Sequence, residues 1–227
     1  MQSRDVLEAV DALASGRVLE SMKRFGIETD NARGVSTPAL KAIARKIGQH
    51  HQLAQKLWAT GIFEARAIAA MIDEPDKVTR RQVETWARDL NSWGICDACC
   101  CYLFRKIPFA WEKAVEWAGR KPEFVKRAGF ALMAYLAVHD KAATDRKFVQ
   151  LLPVIERESD DDRPFVREAV NWALRQIGKR NLRLHPPAIA AAERIKARGT
   201  RTARWIAADA LRELRNATVV ERISTKR

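Results

Sequence analysis

The 227-residue chain is strongly basic, with 41 Lys and Arg residues against 28 Asp and Glu and a formal net charge of +13. Hydrophobic residues make up 47% of it, which supplies a sizeable core and excludes a collagen-like chain, a low-complexity tail or a disulfide mini-protein. The positive surplus favours a polyanionic partner, because Lys and Arg that neutralise phosphates release condensed counterions. Charge alone does not single out nucleic acid, since many basic proteins bind none.

We expect neither a membrane span nor a secretory signal. No run of about 18 apolar residues occurs, and the N-terminal stretch carries acids and lacks a continuous apolar segment. The four cysteines crowd into residues 96–101, too close together for a disulfide framework. Cysteines without a disulfide framework are typical of a reducing compartment, so we predict a cytoplasmic protein with no membrane partner.

The hydrophobic pattern predicts an all-α chain. Apolar residues recur at spacings of three and four, the period of an amphipathic helix, in the stretches 39–47, 66–71, 83–90, 124–137 and 165–177. Proline and glycine fall between these stretches and mark the connections. No linker separates two folded parts, so we treat residues 1–227 as one domain that ends in a frayed basic tail over 219–227.

A weak internal repeat underlies the helices. The run FVKRA at 124–128 recurs as FVREA at 165–169, an offset of 41 residues and so a period near 40. Paired helices at this period are typical of HEAT or armadillo repeats, which stack into a right-handed α-α superhelix, a solenoid with a concave face that would here be basic. The alternative is an ordinary helical domain whose amphipathic helices look alike by chance.

A tryptophan and an aspartate share one predicted helix face. Ser92 is a suitable N-cap, so Trp93 and Asp97, four residues apart, point the same way from the helix that follows. An indole face and a carboxylate together suit a cationic partner. The alternative is a core tryptophan beside an aspartate that caps the helix.

Arg127 and Trp172 form a second candidate pair. Arg127 lies inside an apolar helix, and Trp172 lies at a nearby level of the next repeat. If the repeats stack, both face the same concavity as Trp93 and Asp97. Arginine suits phosphate because its planar fork donates two hydrogen bonds and stays charged. The alternative is an arginine that braces neighbouring repeats through a buried carboxylate.

Metal and cofactor chemistry are not predicted. Consecutive helical residues splay about 100° apart, so the four thiols cannot converge on zinc, and buried cysteine acting as a small hydrophobe is the better interpretation. The sequence also lacks a Gly-rich phosphate loop, a Gly-x-Ser-x-Gly elbow and a His-Glu-x-x-His pair. We therefore expect no metal and no organic cofactor.

Taken together, these residues resemble the AlkD family of bacterial DNA alkylation repair glycosylases, which is built from HEAT-like repeats. The matching pieces occur in the family's order between about residues 20 and 215. They are the run GVSTP at 34–38 followed by Leu40 and Lys41, Ser92-Trp93 with Asp97, and the runs at 124–128 and 165–169 with Trp172, Leu174 and Arg175. One departure is Gly94, where the family often carries an acid directly after the first tryptophan.

The resemblance implies a role for each matching residue. Asp97 matches the catalytic aspartate, Trp93 and Trp172 the two cleft tryptophans, and Arg127 the cleft arginine. A second set would bind the DNA itself: Ser36, Thr37, Lys126 and Arg175.

The implied reaction is the hydrolytic release of cationic N3- or N7-alkylated purines from duplex DNA, in base excision repair, by a monomer. Two alternatives stay open. One is a non-catalytic HEAT-like protein that binds damaged or branched DNA, and the other is a protein-interaction scaffold.

Overall fold

The computed structural model describes residues 2–225, and no β-strand occurs among them. The predicted helical stretches all fall on helices, although the stretch 83–90 extends two residues beyond the end of its helix. Contacts between residues group the chain into two compact units, Met1–Pro108 and Phe109–Arg227, which are described separately below. No helix in the described range is both long and apolar enough to span a bilayer.

The described part of the first unit contains seven α-helices, with single 3₁₀ turns at Pro75–Lys77 and Phe104–Lys106. They are α1 (Ser3–Asp11), α2 (Gly16–Arg24), α3 (Thr37–Ile47), α4 (His51–Ala59), α5 (Phe63–Ile72), α6 (Arg80–Arg88) and α7 (Trp93–Tyr102). Helix α5 is central, since it packs against α1, α3, α4 and α7. Its four alanines favour the helix and let these neighbours approach closely.

The described part of the second unit contains eight α-helices. They are α8 (Ala110–Ala118), α9 (Glu123–His139), α10 (Asp145–Val149), α11 (Leu152–Arg157), α12 (Pro164–Gly178), α13 (His185–Ala197), α14 (Arg201–Leu214) and α15 (Ala217–Ser224). The long, buried α9 packs between α8 and α12, and α12 packs in turn against α13 and α14. The approach of α8 to α9 requires Gly129, because a Cβ atom there would lie 2.4 Å from the amide nitrogen of Ala118.

Matching segments of neighbouring repeats in the second unit are joined by a regular set of contacts. Each contact links residues 38 positions apart: Arg127 with Phe165, Asn171 with Asp209, Arg175 with Glu213, Glu156 with Arg194, and Asp160 with Arg198. For Arg127 and Phe165, this separation is about one helical turn shorter than the offset of 41 residues between the runs at 124–128 and 165–169. Side chains lean toward the N-terminus of their own helix, so Arg127 meets the turn of α12 that precedes its equivalent position.

The C-terminal segment differs from the frayed tail expected over 219–227. Residues up to Ser224 form α15, whose start is capped by Asn216: its side-chain oxygen accepts a hydrogen bond from the Thr218 amide at 3.0 Å. Ile223 is buried, and burial of this side chain holds the helix in place. The cap and this one apolar contact explain the order, and Lys226 and Arg227 lie outside the described residues.

Candidate functional site

Ser92 starts helix α7 and sets the orientation of the candidate catalytic pair. Its hydroxyl oxygen accepts from the Ile95 amide over a long 3.5 Å contact, and Ser92 itself is buried. Trp93 is therefore the first residue of α7, and Asp97 follows one turn later on the same face. Both side chains are half-buried, so each is held by the fold while part of it stays accessible.

The indole of Trp93 is anchored to the end of α2. Its Nε1–H donates a hydrogen bond to the backbone carbonyl of Phe25, with 2.8 Å between nitrogen and oxygen. This bond joins residues 68 positions apart and fixes the ring relative to α2 as well as α7. A ring oriented in advance needs no reorganisation when a partner arrives.

A cavity of about 230 Å³ lies beside Trp93 and is bordered by two further predicted site residues, Ser36 and Thr37. Both are exposed at the start of α3, where Ser36 occupies the N-cap position. Most of the remaining lining is apolar and includes Phe63, Met71 and Ala98. The structure thus brings Trp93, Ser36 and Thr37 to one cavity within the first unit.

The loop that carries Ser36 and Thr37 is held by Glu64, which sequence reasoning did not identify. The fully buried carboxylate accepts from the amides of Arg33, Gly34 and Val35 at 2.9, 2.7 and 3.2 Å. A signal was present in the sequence, because an acid stands on the buried face of an otherwise alanine-rich helix. A buried carboxylate needs such donors, since burying it unpaired costs several kcal/mol.

Local packing explains why a glycine stands at position 94 in this chain. A Cβ atom at this position would lie 3.0 Å from the ring of Phe63 and 3.2 Å from Cδ1 of Ile27. An acidic side chain here would meet these two apolar groups at once. The departure from the family pattern therefore accompanies tight apolar packing beneath the start of α7.

Arg127 lies on α9 in the second unit and is almost completely buried, with 5% of its surface exposed. Its Nη1 donates to the backbone carbonyl of Phe165 at 2.8 Å, which ties α9 to the first turn of α12. The guanidinium therefore braces successive repeats, as one of the two sequence hypotheses supposed, although this bond goes to a carbonyl rather than a carboxylate. A phosphate contact by Arg127 stays a prediction.

Trp172 is half-buried on α12 and rests on an aromatic neighbour from α9. The Tyr135 ring meets it edge-to-face, with centroids 5.0 Å apart and planes at 80°. Such pairs contribute about 0.5–1.5 kcal/mol beyond the area they bury. This contact orients the indole and leaves part of its surface accessible.

Lys126 is engaged by two carboxylates. Its Nζ lies 2.7 Å from Glu158 and 2.8 Å from Asp161. Burial lowers the pKa of Lys126, but the hydrogen bonds to Asp161 and Glu158 outweigh it and hold the pKa above its ordinary value. A DNA phosphate would have to compete with both acids for this ammonium, and the DNA-binding role of Lys126 stays a prediction.

The positive charge of Arg175 is likewise balanced by acidic side chains of the second unit. It forms an ion pair with Glu213 on α14, and its Nε lies 3.6 Å from Asp209 on the same helix. About a quarter of the side chain is exposed. Its proposed approach to the DNA backbone therefore stays a prediction, with Glu213 as the competing partner.

The cysteines of α7 belong to the core of the first unit. Cys96, Cys99 and Cys100 are buried, and Cys101 is partly exposed. Burial raises the pKa of the Cys99 and Cys100 thiols well above the usual range, so these groups stay protonated and unreactive. Within residues 2–225, no group of three or more His, Cys, Asp or Glu side chains is placed to hold a metal ion.

The fold and its internal contacts define a class of helical-repeat protein. A solved structure matches with a TM-score of 0.78 at 23% identity, covering 86% of this chain and 83% of the other. That protein is described as one of a new family related to the HEAT-like repeat DNA glycosylases, with affinity for branched DNA structures. No curated protein sequence matches the chain.

The family itself is defined by a sequence model of DNA alkylation repair enzymes, which matches residues 6–214. The chain belongs to this family. The predictions of an all-α, HEAT-like fold and of a resemblance to the HEAT-like repeat DNA glycosylases are confirmed.

Proposed function

We propose that the protein is a DNA glycosylase that hydrolyses the N-glycosidic bond of cationic N3- or N7-alkylated purines in duplex DNA. The observation that carries the proposal is the pair Trp93 and Asp97, one turn apart on the capped helix α7 of a DNA alkylation repair family member. The net charge of +13 suits the DNA backbone as partner. We expect the protein to act as a monomer in the cytoplasm.

The reaction needs stabilisation of positive charge on the sugar rather than a strong acid. Alkylation at N3 or N7 makes the purine cationic, so the bond electrons leave with the base and neutralise it. The C1′ atom then carries developing positive charge, water adds its oxygen there, and one water proton is released. Groups that favour this transition state must be held in place before the charge develops.

Asp97 supplies the main stabilising charge in this mechanism. A carboxylate about 4 Å from the developing cation contributes roughly 4 kcal/mol at an effective dielectric near 20. Asp97 also positions the attacking water and accepts a hydrogen bond from it. The face of Trp93 adds about 0.5–2 kcal/mol by cation–π attraction to the sugar, and Trp172 is assigned a contact of the same kind from the family resemblance alone.

The remaining residues are assigned to contacts with the DNA backbone. Arg127 is assigned to the phosphate next to the lesion, and Ser36 and Thr37 to the duplex on the side of the first unit. Lys126 and Arg175 are assigned to neighbouring phosphates, which they reach by exchanging their present carboxylate partners for phosphate oxygens.

The test is release of base from duplex DNA that carries one N7-methylguanine, measured for wild type and Asp97→Asn beside DNA binding by fluorescence anisotropy. We expect Asp97→Asn to lose nearly all release while binding persists. Asp76→Asn is the matched control, since Asp76 is exposed in the 3₁₀ turn Pro75–Lys77 and loses the same charge. Unchanged release by Asp97→Asn would remove this residue from the mechanism.

A second candidate is a non-catalytic protein that binds branched or damaged DNA. Two observations favour it: the matched structure belongs to a protein with affinity for branched DNA, and Gly94 replaces the acid expected beside Trp93. Steeply salt-dependent binding with no base release by the wild type would support this candidate over the glycosylase.

A further inference from the structure

The end of helix α2 carries an exposed aromatic ring among cations. Phe25 is 60% exposed, more than any other large hydrophobic side chain in the described part of the chain. It follows Lys23 and Arg24 directly, and the Arg24 guanidinium carbon lies 5.3 Å from the centre of its ring. One exposed hydrophobic residue is ordinary by itself. Two further features distinguish this one.

The first feature is an open depression of about 500 Å³ along α2. It is lined by Arg17, Glu20, Ser21 and Arg24. Two guanidiniums and a hydroxyl offer donors there against a single carboxylate. Within residues 2–225, neither Arg17 nor Arg24 forms an ion pair, so both charges are available to an anion. Planar guanidinium groups suit phosphate oxygens.

The second feature is the direct link to the candidate catalytic helix. The backbone carbonyl of Phe25 accepts the hydrogen bond from the Trp93 indole at 2.8 Å. Gly26, with φ of +71°, turns the chain immediately afterwards and leaves the Phe25 ring at the tip of the helix. A group stacked on Phe25 would therefore lie beside the residue that is assigned to the lesion sugar.

We propose that Phe25, Arg17 and Arg24 form a cradle for one unstacked nucleotide, the base lying on the Phe25 ring and the phosphate between the guanidiniums. Bases of an intact duplex are covered on both faces, whereas a bulged or branched site exposes a free face to an aromatic ring. The proposal rests on the DNA binding described under the proposed function. It names the substrate class as DNA in which a nucleotide beside the target is unstacked.

The test compares two DNAs that differ by one bulged nucleotide, a fully paired duplex and the same duplex with the bulge. Binding is measured by anisotropy, and a 2-aminopurine in the bulge reports stacking by loss of fluorescence. We expect the wild type to prefer the bulged DNA and Phe25→Ala to lower that preference about tenfold, within the range for one base–aromatic stack. Phe25→Trp should keep the preference and the quenching.

The control variant is Leu13→Ala, which removes another exposed hydrophobic side chain, 47% exposed, from the same unit. It should leave the preference unchanged. Arg24→Gln should lower the slope of log affinity against log salt by about one on both DNAs, because one phosphate contact is lost. An unchanged slope would overturn the phosphate half of the cradle.

Equal preference ratios for wild type and Phe25→Ala, or no preference in the wild type, would overturn the proposal. These outcomes are separable from the glycosylase hypothesis. Absent base release with an intact bulge preference rejects the glycosylase alone, and retained base release without the preference rejects the cradle alone. Failure of the wild type to bind either DNA rejects both.

Discussion

The amide nitrogen of Gly34 lies 2.7 Å from Oε1 of Glu64, so a carboxylate on α5 holds the loop that leads into α3. At Gly34 the backbone has φ of +76°, and a Cβ atom would lie 2.3 Å from the carbonyl oxygen of Ser15. The loop therefore has little freedom at this point. Ser36 and Thr37 follow within three residues, so their positions depend on a side chain from another helix.

Glu64→Gln should lower the free energy of unfolding by about 1–3 kcal/mol. The side-chain amide cannot accept at every position, so at least one backbone N–H of residues 33–35 loses its charged acceptor in a buried site. Urea unfolding measures the loss, and faster hydrogen exchange at these amides locates it. Glu8→Gln, at an exposed acid on α1, should change the midpoint little. Equal midpoints for the two variants would contradict the prediction.

Restoring an acid after Trp93 should destabilise the protein. In Gly94→Asp the new side chain meets Phe63 and Ile27 at 3.0–3.3 Å, and overpacking of this kind costs about 1–3 kcal/mol. We expect a lower unfolding midpoint without a gain in base release. Gly16→Ala is the control, since Gly16 lies in α2 with no atom within 4 Å of the added Cβ, and it should leave stability equal or higher. A Gly94→Asp protein as stable as wild type would refute the packing argument.

Acid should weaken the second unit through the carboxylates that hold Lys126. Burial raises the pKa of Asp161, but hydrogen bonds from Arg163 and Lys126 outweigh it and hold the pKa far below the ordinary 3.8. For Glu158, burial likewise raises the pKa, and Lys126 and Arg157 lower it overall below 4.5. The stability these groups contribute is present above their ordinary pKa values and is lost as the pH falls through the lower folded values.

Asp161→Asn should therefore reduce stability near neutral pH and flatten its decline toward acid. Urea midpoints measured across that pH range give the comparison. The control is Asp162→Asn, because Asp162 is the exposed neighbour and loses the same charge. Parallel pH profiles for wild type and Asp161→Asn would show that the pair with Lys126 does not contribute to acid sensitivity.

Local patterns allowed the helices to be predicted, together with the placement of the candidate catalytic pair Trp93 and Asp97 on one helix. The spacing of apolar residues defines a helix from its own sequence, and Ser92 places Trp93 and Asp97 on one face within a single turn. The repeat was also readable, because Phe124 and Phe165, equivalent in the two runs, do meet, with ring centroids 5.6 Å apart.

Partners that lie far apart in sequence could not be predicted. The Trp93 indole finds its acceptor at Phe25, and Lys126 finds Asp161 35 positions later. From the sequence alone, Lys126 was interpreted as a DNA ligand because it stands next to Arg127. Only the folded chain shows that two carboxylates contact its ammonium group. The final helix was missed for a similar reason, since the burial of Ile223 depends on packing rather than on the basic composition around it.

The contacts at a constant separation of 38 residues constrain how the second unit can change in length. Inserting or deleting one residue within α12 would shift Asn171 and Arg175 together around the helix relative to Asp209 and Glu213, and so would break both bonds at once. The gap between α11 and α12 is constrained as well, because Asp160 and Asp161 in it contact Arg198 and Lys126. Lengthening by whole repeats is therefore the route that preserves the bonds, with each added unit bringing its own acids and cations.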